Sequence, residues 1–381
     1  MRLKIAVFSR NFSSSAGGAE RYAIALVEGL SASHEIHVFS QLRDHDFPNV
    51  RYRTVPRFLV RPRWINQLYF AAFTWWATRK GFDVIHSHEN TWHGQIQTVH
   101  VLPVWYNHFA GVRGVRRILR RAQAWTSPRL LTYLGLETGR FRPQPGRRVV
   151  CVSQTLLQVM QKVFPDAATS LRVVPPGLSG VPGRVAAQER VQARQALALP
   201  AEGRCLLFVG RQFRKKGLPT LLEALKDLDG GFHLLAIGSV ELEADMIELV
   251  RSHQLDGRVR VLGSLSEMEL AYRAADCLVH PTLEDTYAMV VLEAMSHGVP
   301  VIVSSAAYCG ISAELVDGED ALILSNPQSP AEVCAAVARL FKDGALRERM
   351  VERGIAFARA RAWSEVVRSY EAILQEAVVA R

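Results

Sequence analysis

Four cations, Arg211, Arg214, Lys215 and Lys216, lie between the apolar run 205–210 and a helix-like segment opening at residue 218. A loop of this kind aims side-chain charge and helix-start amides beyond the carboxyl end of a strand. Arginine offers a planar two-pronged donor and lysine a compact charge, so a diphosphate is the natural guest. Alone, the loop also reads as a solvated basic turn. The second feature is "HPTLEDTYAMVVLEAMSHGVPVIVSS", residues 280–305. Asp285 falls in an acidic turn and Glu293 eight residues on, inside a helix expected to begin near Ala288. The opening amides of Ala288, Met289 and Val290 are expected to be free for phosphate or hydroxyl oxygens. A carboxylate can accept two vicinal sugar hydroxyls, so Asp285 suits a hexose and Glu293 a ribose. Glu293 alone reads equally as an ordinary residue of a helical first turn, and Glu284 as a solvated neighbour.

In the first half, Gly17 and Gly18 follow a strand-like run and open a helix, a turn expected to exclude side chains. They also read as a plain tight turn. The dinucleotide fingerprint G-x-G-x-x-G is absent. His100 closes the run "QIQTV" and is expected to face a cleft, with a satisfied structural histidine as the other reading. Six of the twelve histidines, His34, His86, His88, His93, His100 and His108, sit at strand ends and loops of this half. No HExxH accompanies them and carboxylate partners are sparse, so no metal is expected. Without a G-x-S-x-G elbow, a serine hydrolase is not expected either.

The elements that must position these residues alternate short apolar strands with amphipathic helices. Strands are expected at 4–8, 35–40, 83–88, 95–100, 147–153 and 171–177, with a helix over 20–30. In the second half they are expected at 204–210, 232–238, 258–263, 277–281, 300–305 and 321–324, with helices near 218–228, 241–253, 266–274, 288–297 and 330–342. Buried β-branched runs between helices mean parallel, doubly wound α/β sheets. The Pro- and Gly-rich stretch 173–183 is the linker candidate. Two Rossmann-like domains, 1–180 and 181–362, are therefore expected to face each other across a cleft. A last helix over 363–381 could pack back on the first domain.

The charge is uneven. Residues 1–180 carry 24 Lys and Arg against 9 Asp and Glu, whereas the whole chain is only +10. The first half is thus expected to meet an anion. Arginines alternate with Trp64, Tyr69, Phe70, Phe73, Trp75 and Trp76 over 51–80, and five more arginines crowd into 113–121. Aromatic rings beside cations suit an anionic membrane interface, although 70–76 reads equally as a core helix. Nucleic acid is not expected, because no helix-turn-helix, zinc finger or RNP pattern is present and the likely ligand loops lie in the acidic half. No leader pattern opens the chain, and its longest apolar stretch, 68–77, is far shorter than the roughly 20 residues a spanning helix needs. Five unpaired-looking cysteines fit a reducing, cytoplasmic setting.

The run "VGR....KG", then "VLGSL", then "AAD.LVHP..ED....VVLEAM..G.PVI.S" resembles the nucleotide-binding half of retaining glycosyltransferases of family 4, which have the GT-B architecture. "GGAER", "HSH", "TVH", "CVSQ" and "VVPPG" fall where that family places similar segments. The family spaces its acid pair E-x7-E, and here Asp285 replaces the first Glu, while Thr286, Tyr287 and Ala288 replace its glycine-aromatic-glycine. The resemblance implies that Arg211 and Lys216 grip the diphosphate of a nucleotide-sugar donor. It implies that Asp285 meets the transferred sugar and Glu293 the ribose, that Gly17 and Gly18 let backbone approach donor or acceptor, and that His100 lies at the sugar–acceptor junction. It further implies hexose transfer without a metal cofactor, with uridine as the expected base. The acceptor is expected to be an anionic or lipid-linked glycan, as in lipopolysaccharide core synthesis, with peripheral attachment to the inner membrane face. A non-catalytic nucleotide-sugar-binding protein and a GT-B epimerase remain the alternatives.

Overall fold

The computed structural model describes residues 2–380 apart from 14–16, 58 and 266. The chain divides into two compact units: residues 1–177 with 363–381, and residues 178–362.

Besides a short parallel pair, Asn11–Phe12 with Leu42–Arg43, the strands of the first unit are β1 (Lys4–Phe8), β2 (Glu35–Ser40), β3 (Val50–Thr54), β4 (Val84–Ser87), β5 (Ile96–Val99), β6 (Arg148–Cys151) and β7 (Leu171–Val173). β1 to β7 form one seven-stranded sheet in the order β3-β2-β1-β4-β5-β6-β7, and the pairs are parallel. The order reverses beside β1, which in doubly wound sheets marks where ligands gather beyond the carboxyl ends. The sequence signal missed β3. Its "VRYRT" buries only Val50 and leaves arginines outward, as an edge strand tolerates. Phe8, Phe39 and Phe70 close the core between sheet and helix, with Phe8 edge-on to both others at 5.6 and 6.4 Å.

The helices of this unit are α1 (Gly18–Ser31), α2 (Arg63–Ala77), α3 (Val104–Phe109), α4 (Gly114–Thr126), α5 (Pro128–Phe141) and α6 (Gln154–Val163). The chain's last helix (Trp363–Val379) also belongs here, and its docking is built from named contacts. Tyr370 Oη lies 3.1 Å from Tyr22 Oη and 2.7 Å from Thr98 Oγ1. Glu371 meets His34 at 2.8 Å, and Glu376 accepts from Arg148 and Arg172 at 2.8 and 2.9 Å. A Cβ on Gly29 would fall 2.3 Å from Val367, so α1 and this helix pack at a distance only glycine permits.

The second unit repeats the plan. Strands β8 (Arg204–Val209), β9 (Phe232–Ile237), β10 (Val259–Leu262), β11 (Cys277–His280), β12 (Val301–Ser304) and β13 (Leu322–Leu324) lie in the order β10-β9-β8-β11-β12-β13, all parallel. Its helices are α7 (Ala187–Ala196), α8 (Leu218–Asp227), α9 (Ala244–Ser252), α10 (Met268–Ala274), α11 (Met289–Ser296), α12 (Pro330–Lys342) and α13 (Gly344–Arg359), so the terminal helix is α14. The expected start of α10 at residue 266 lies outside the described residues. α13 escaped the periodicity because Leu346, Met350 and Val351 are interspersed with arginines and glutamates. Leu206, Phe208, Leu221, Leu225, Leu234 and Val279 are fully buried in one core that holds the β8 and β11 ends in place. Among the described residues no helix is long and apolar enough to cross a membrane.

Candidate active site

β8 ends at Val209, and the chain turns through Arg211 to Lys216 before α8. Phe213 anchors this turn in the core, edge-on to Phe208 at 5.8 Å. Gly217 caps α8 in the left-handed region at φ 84°, and a Cβ there would sit 1.9 Å from the Pro281 carbonyl oxygen. Only glycine allows the loop after β8 to press on the loop after β11. Leu283 N–H donates to Lys215 O at 2.9 Å and ties the two loops together.

The result is an ion pair between residues 69 positions apart. Lys216 Nζ donates to Asp285 Oδ2 at 2.6 Å and to the Glu284 carbonyl at 3.0 Å. His280 Nε2 lies 3.3 Å from the same oxygen. Asp285 Oδ1 accepts from the amides of Ala288 at 2.9 Å and Tyr287 at 3.3 Å. Burial would push the Asp285 carboxyl up, but the His280 hydrogen bond and the Lys216 charge together hold it well below the usual carboxylate range. Burial pushes His280 down, against the pull of Asp285. The backbone of this turn is pinned to the segment after β12: Asp285 N–H donates to Tyr308 O at 2.8 Å and Gly310 N–H to Asp285 O at 2.9 Å.

One expectation is corrected here. The Ala288 amide is not free, because Asp285 accepts from it; the amides of Met289 and Val290 open α11 without intrahelical acceptors. Ala288 holds φ 68°, a left-handed conformation that costs a residue with a Cβ about 1–2 kcal/mol. It stands where the resembling family places glycine, so the turn keeps a glycine-like shape despite the substitution. Glu293, in the second turn of α11, accepts from Tyr272 Oη at 2.6 Å, and Tyr272 stacks on His297 at 5.1 Å. Arg211 is exposed just beyond β8, with its carbonyl held by Ser239 Oγ at 2.7 Å. The other two cations of the loop face carboxylates: Arg214 pairs with Glu243 and Asp245, and Lys215 with Glu284 at 2.7 Å. Glu284 is thus an ion-pair partner.

In the first unit His100 follows β5. Its Nε2 lies 2.9 Å from Nδ1 of His88, the two rings are stacked, and Tyr22 meets His100 edge-on at 5.0 Å. His86 bonds Thr98 Oγ1 at 2.8 Å beside them. Burial first, then the Arg140 cation, pushes His100 down to about 3; burial does the same to His86, and His88 falls well below its ordinary value. These imidazoles are therefore neutral. Because the unfolded chain protonates near pH 6.5 and the folded one does not, the first unit loses stability as pH falls from 6.5 toward 3. The loss at about pH 5 is expected to be roughly 1–2 kcal/mol per histidine. Urea midpoints followed across this range check it: wild type should weaken steeply and His86→Gln less so, whereas parallel profiles would contradict the neutral cluster.

The glycine pair also departs from expectation. Gly17 has φ 171°, extended backbone open to any residue, and a Cβ on Gly18 meets no described atom within 4 Å. A Cβ on Gly17 would meet only the flexible end of Glu20, at 3.0 Å, so among the described residues no backbone excludes side chains there. Sequence reasoning missed His280, Tyr272 and His88. His280 and His88 stood in the quoted motifs without a role, while nothing in the spacing singled out Tyr272. Among the described residues no three His, Cys, Asp or Glu side chains are grouped to hold a metal ion.

Residues 16–179 match the family described as Glycosyltransferase Family 4, and residues 189–357 match Glycosyl transferases group 1. Among curated relatives, D-inositol 3-phosphate glycosyltransferase of Acidothermus cellulolyticus is 26% identical over 63% of this chain and 58% of its own. Its namesake from Catenulispora acidiphila is 31% identical over 50% of this chain and 48% of its own. The matches thus span about half the length of these relatives. Among solved structures, WaaG, a glycosyltransferase involved in lipopolysaccharide biosynthesis, superposes with TM-score 0.82 at 18% identity over 97% of this chain and 99% of its own. HepE of Anabaena, in complex with UDP and glucose, superposes with TM-score 0.75 at 17% identity over 98% of this chain and 100% of its own. Two Rossmann-like units of 3-2-1-4 strand order, the first matched by the family 4 model and the second by the group 1 model, give the chain a GT-B fold made of a glycosyltransferase family 4 domain followed by a glycosyl transferases group 1 domain.

Proposed function

We propose that the chain is a retaining, metal-independent glycosyltransferase that moves a hexose from a nucleoside diphosphate sugar, UDP foremost, to a hydroxyl of an anionic glycan or lipid-linked acceptor in cell-envelope synthesis. The Lys216–Asp285 pair at the open end of α11 carries this reading. A carboxylate offers about four acceptor positions, and those of Asp285 face Lys216, His280 and the amides of Tyr287 and Ala288. A donor diphosphate competes for Lys216; when the ammonium turns to phosphate, Asp285 Oδ2 becomes available to a sugar hydroxyl. Binding of the diphosphate and recognition of the sugar are coupled in that exchange.

In the reaction the bond from anomeric carbon to phosphate oxygen breaks, and the acceptor hydroxyl attacks on the same face. Its proton passes to the departing phosphate. No carboxylate pair with the separation of a double displacement is assigned, and neutral His100, with a pKa near 3, is a weak base. As a neutral imidazole it suits hydrogen bonding instead. Lys216, Arg211 and the Met289 and Val290 amides stabilise charge growing on the phosphate. Glu293, steadied by Tyr272, takes the ribose. HepE was solved with UDP-glucose, which supports the choice of donor.

The basic first unit would supply the acceptor side. A cavity of about 840 Å³ is lined by Arg61, Arg63, Trp64, Arg129 and Tyr133, cations and rings suited to a phosphorylated sugar. On α4, Val115, Ile118, Leu119 and Trp125 are 63–77% exposed beside Arg116, Arg117, Arg120 and Arg121. Apolar groups presented among cations fit an anionic bilayer surface. The protein is expected to float with anionic vesicles at low salt and to lose most of that binding as Leu119→Asp; failure to float at low salt would reject the membrane assignment. The donor assignment is tested by incubating purified protein with UDP-hexoses and following UDP release, with and without a phosphorylated glycan. Absence of any nucleotide-sugar binding or turnover would remove it, while binding without turnover would favour the non-catalytic alternative.

A further inference from the structure

The connection from β4 to β5 is not helical; it runs through Trp92, His93 and Gly94. Behind it lies a cavity of about 420 Å³, walled by Trp75 and Arg79 at the end of α2, Trp92 and His93 in the connection, and Gln144 and Arg147 before β6. Arg147 immediately precedes β6, whereas His88 and His100 follow β4 and β5. The cavity therefore reaches the amino-terminal edge of the sheet, the opposite end from His100.

Two features of its wall call for a guest. Arg147 is 3% exposed, yet its recorded partners are all carbonyls: Nη1 donates to Gly139, Arg140 and Arg142, and Nη2 to Trp92. Its Nε is buried without a partner, and neither Asp nor Glu is among the lining residues. A buried cation without countercharge is costly. His93 is 9% exposed and neither ring nitrogen is hydrogen-bonded; the rings of Phe8 at 5.2 Å and Trp92 at 5.5 Å pack on it. Buried polar groups in folded proteins are normally satisfied, so two orphans on one wall are informative. A modest rotation of His93, which no hydrogen bond fixes, would turn an N–H into the cavity. At the mouth, the Arg79 guanidinium lies 5.2 Å from the Trp75 ring centroid, and Trp75 and Trp92 stand 6.5 Å apart. They add a second charge and flat apolar surface.

We propose that this cavity is a second ligand site, distinct from the sugar-transfer site, for a small molecule that joins an oxyanion to a flat ring. The oxyanion, phosphate monoester or carboxylate, meets Arg79, Arg147 and His93, and the ring lies along Trp75 and Trp92. Phenyl phosphate is the probe, titrated calorimetrically into the full chain with saturating UDP so that diphosphate-binding groups are occupied. Saturable binding is expected, weakened about tenfold or more by Arg79→Ala and by His93→Phe, while UDP affinity stays unchanged and shows that both variants fold. Arg63→Ala, in the larger cavity, is expected to leave it unaltered. Benzyl alcohol and inorganic phosphate are each expected to bind at least about tenfold more weakly than phenyl phosphate. Benzoate in its place separates carboxylate from phosphate selectivity, and either preference fits. No saturable binding, binding indifferent to both variants, or equal binding of benzyl alcohol would overturn the proposal; equal binding of inorganic phosphate would remove the ring from it.

Discussion

Lys216→Ala is expected to lower turnover of sugar transfer about 10²- to 10³-fold, roughly 3–4 kcal/mol, by analogy with losing one preorganised donor at a developing oxyanion. The ammonium sits 2.6 Å from Asp285 and 3.0 Å from a carbonyl, so its position is set before any donor arrives. A group held this way has little to reorganise as charge grows on the leaving phosphate. The variant also strips Asp285 of its strongest cationic neighbour, so its carboxyl is expected to titrate nearer the ordinary range. Steady-state kinetics separate the roles. A fall in kcat with modest change in KM is expected, whereas a raised KM at full kcat would mean that Lys216 only binds.

Gly217→Ala should cost the second unit about 2–5 kcal/mol, adding left-handed strain to overpacking. The new methyl would lie 1.9 Å from the Pro281 carbonyl oxygen and 2.7 Å from its carbon at φ 84°, and these backbone atoms cannot swing aside as a flexible side chain would. For a unit of this size the thermal midpoint falls by roughly 5–15 °C. Hydrogen exchange of β8 and β11 reports this unit specifically. Gly257→Ala is the control, since a Cβ there meets no described atom within 4 Å, and it should stay within about ±0.5 kcal/mol. Equal behaviour of the two variants would show that close approach of the loops is not what glycine provides.

The repeated strand–helix alternation made both sheets legible, because central parallel strands such as "CLLFV" and "HLLAI" are buried on both faces and read as apolar runs. β3 and α13 did not show, since an edge strand and a helix rich in charge hide their apolar positions. At the site, Lys216 and Asp285 were visible as residue types in their loops. Their direct pairing was not, because it depends on Gly217 meeting Pro281 across 64 positions of sequence. The bond from the Ala288 amide to Asp285 was misread as a free amide for a related reason: a short carboxylate three residues before Ala288, which precedes α11, accepts from the amides of its own turn. Gly17 and Gly18 show the converse. Glycine pairs suggest a sterically closed turn, yet Gly17 is extended and a Cβ on Gly18 meets no described atom within 4 Å.

We propose above all that the loops after β8 and β11 hold a nucleoside diphosphate. Hydrogen-exchange mass spectrometry with and without saturating UDP tests it most directly. Slowed exchange is expected over residues 210–218 and 284–292, and Lys216→Ala should weaken the effect at equal UDP concentration. Unchanged exchange in both segments while UDP demonstrably binds would place the nucleotide elsewhere and contradict the assignment of the site.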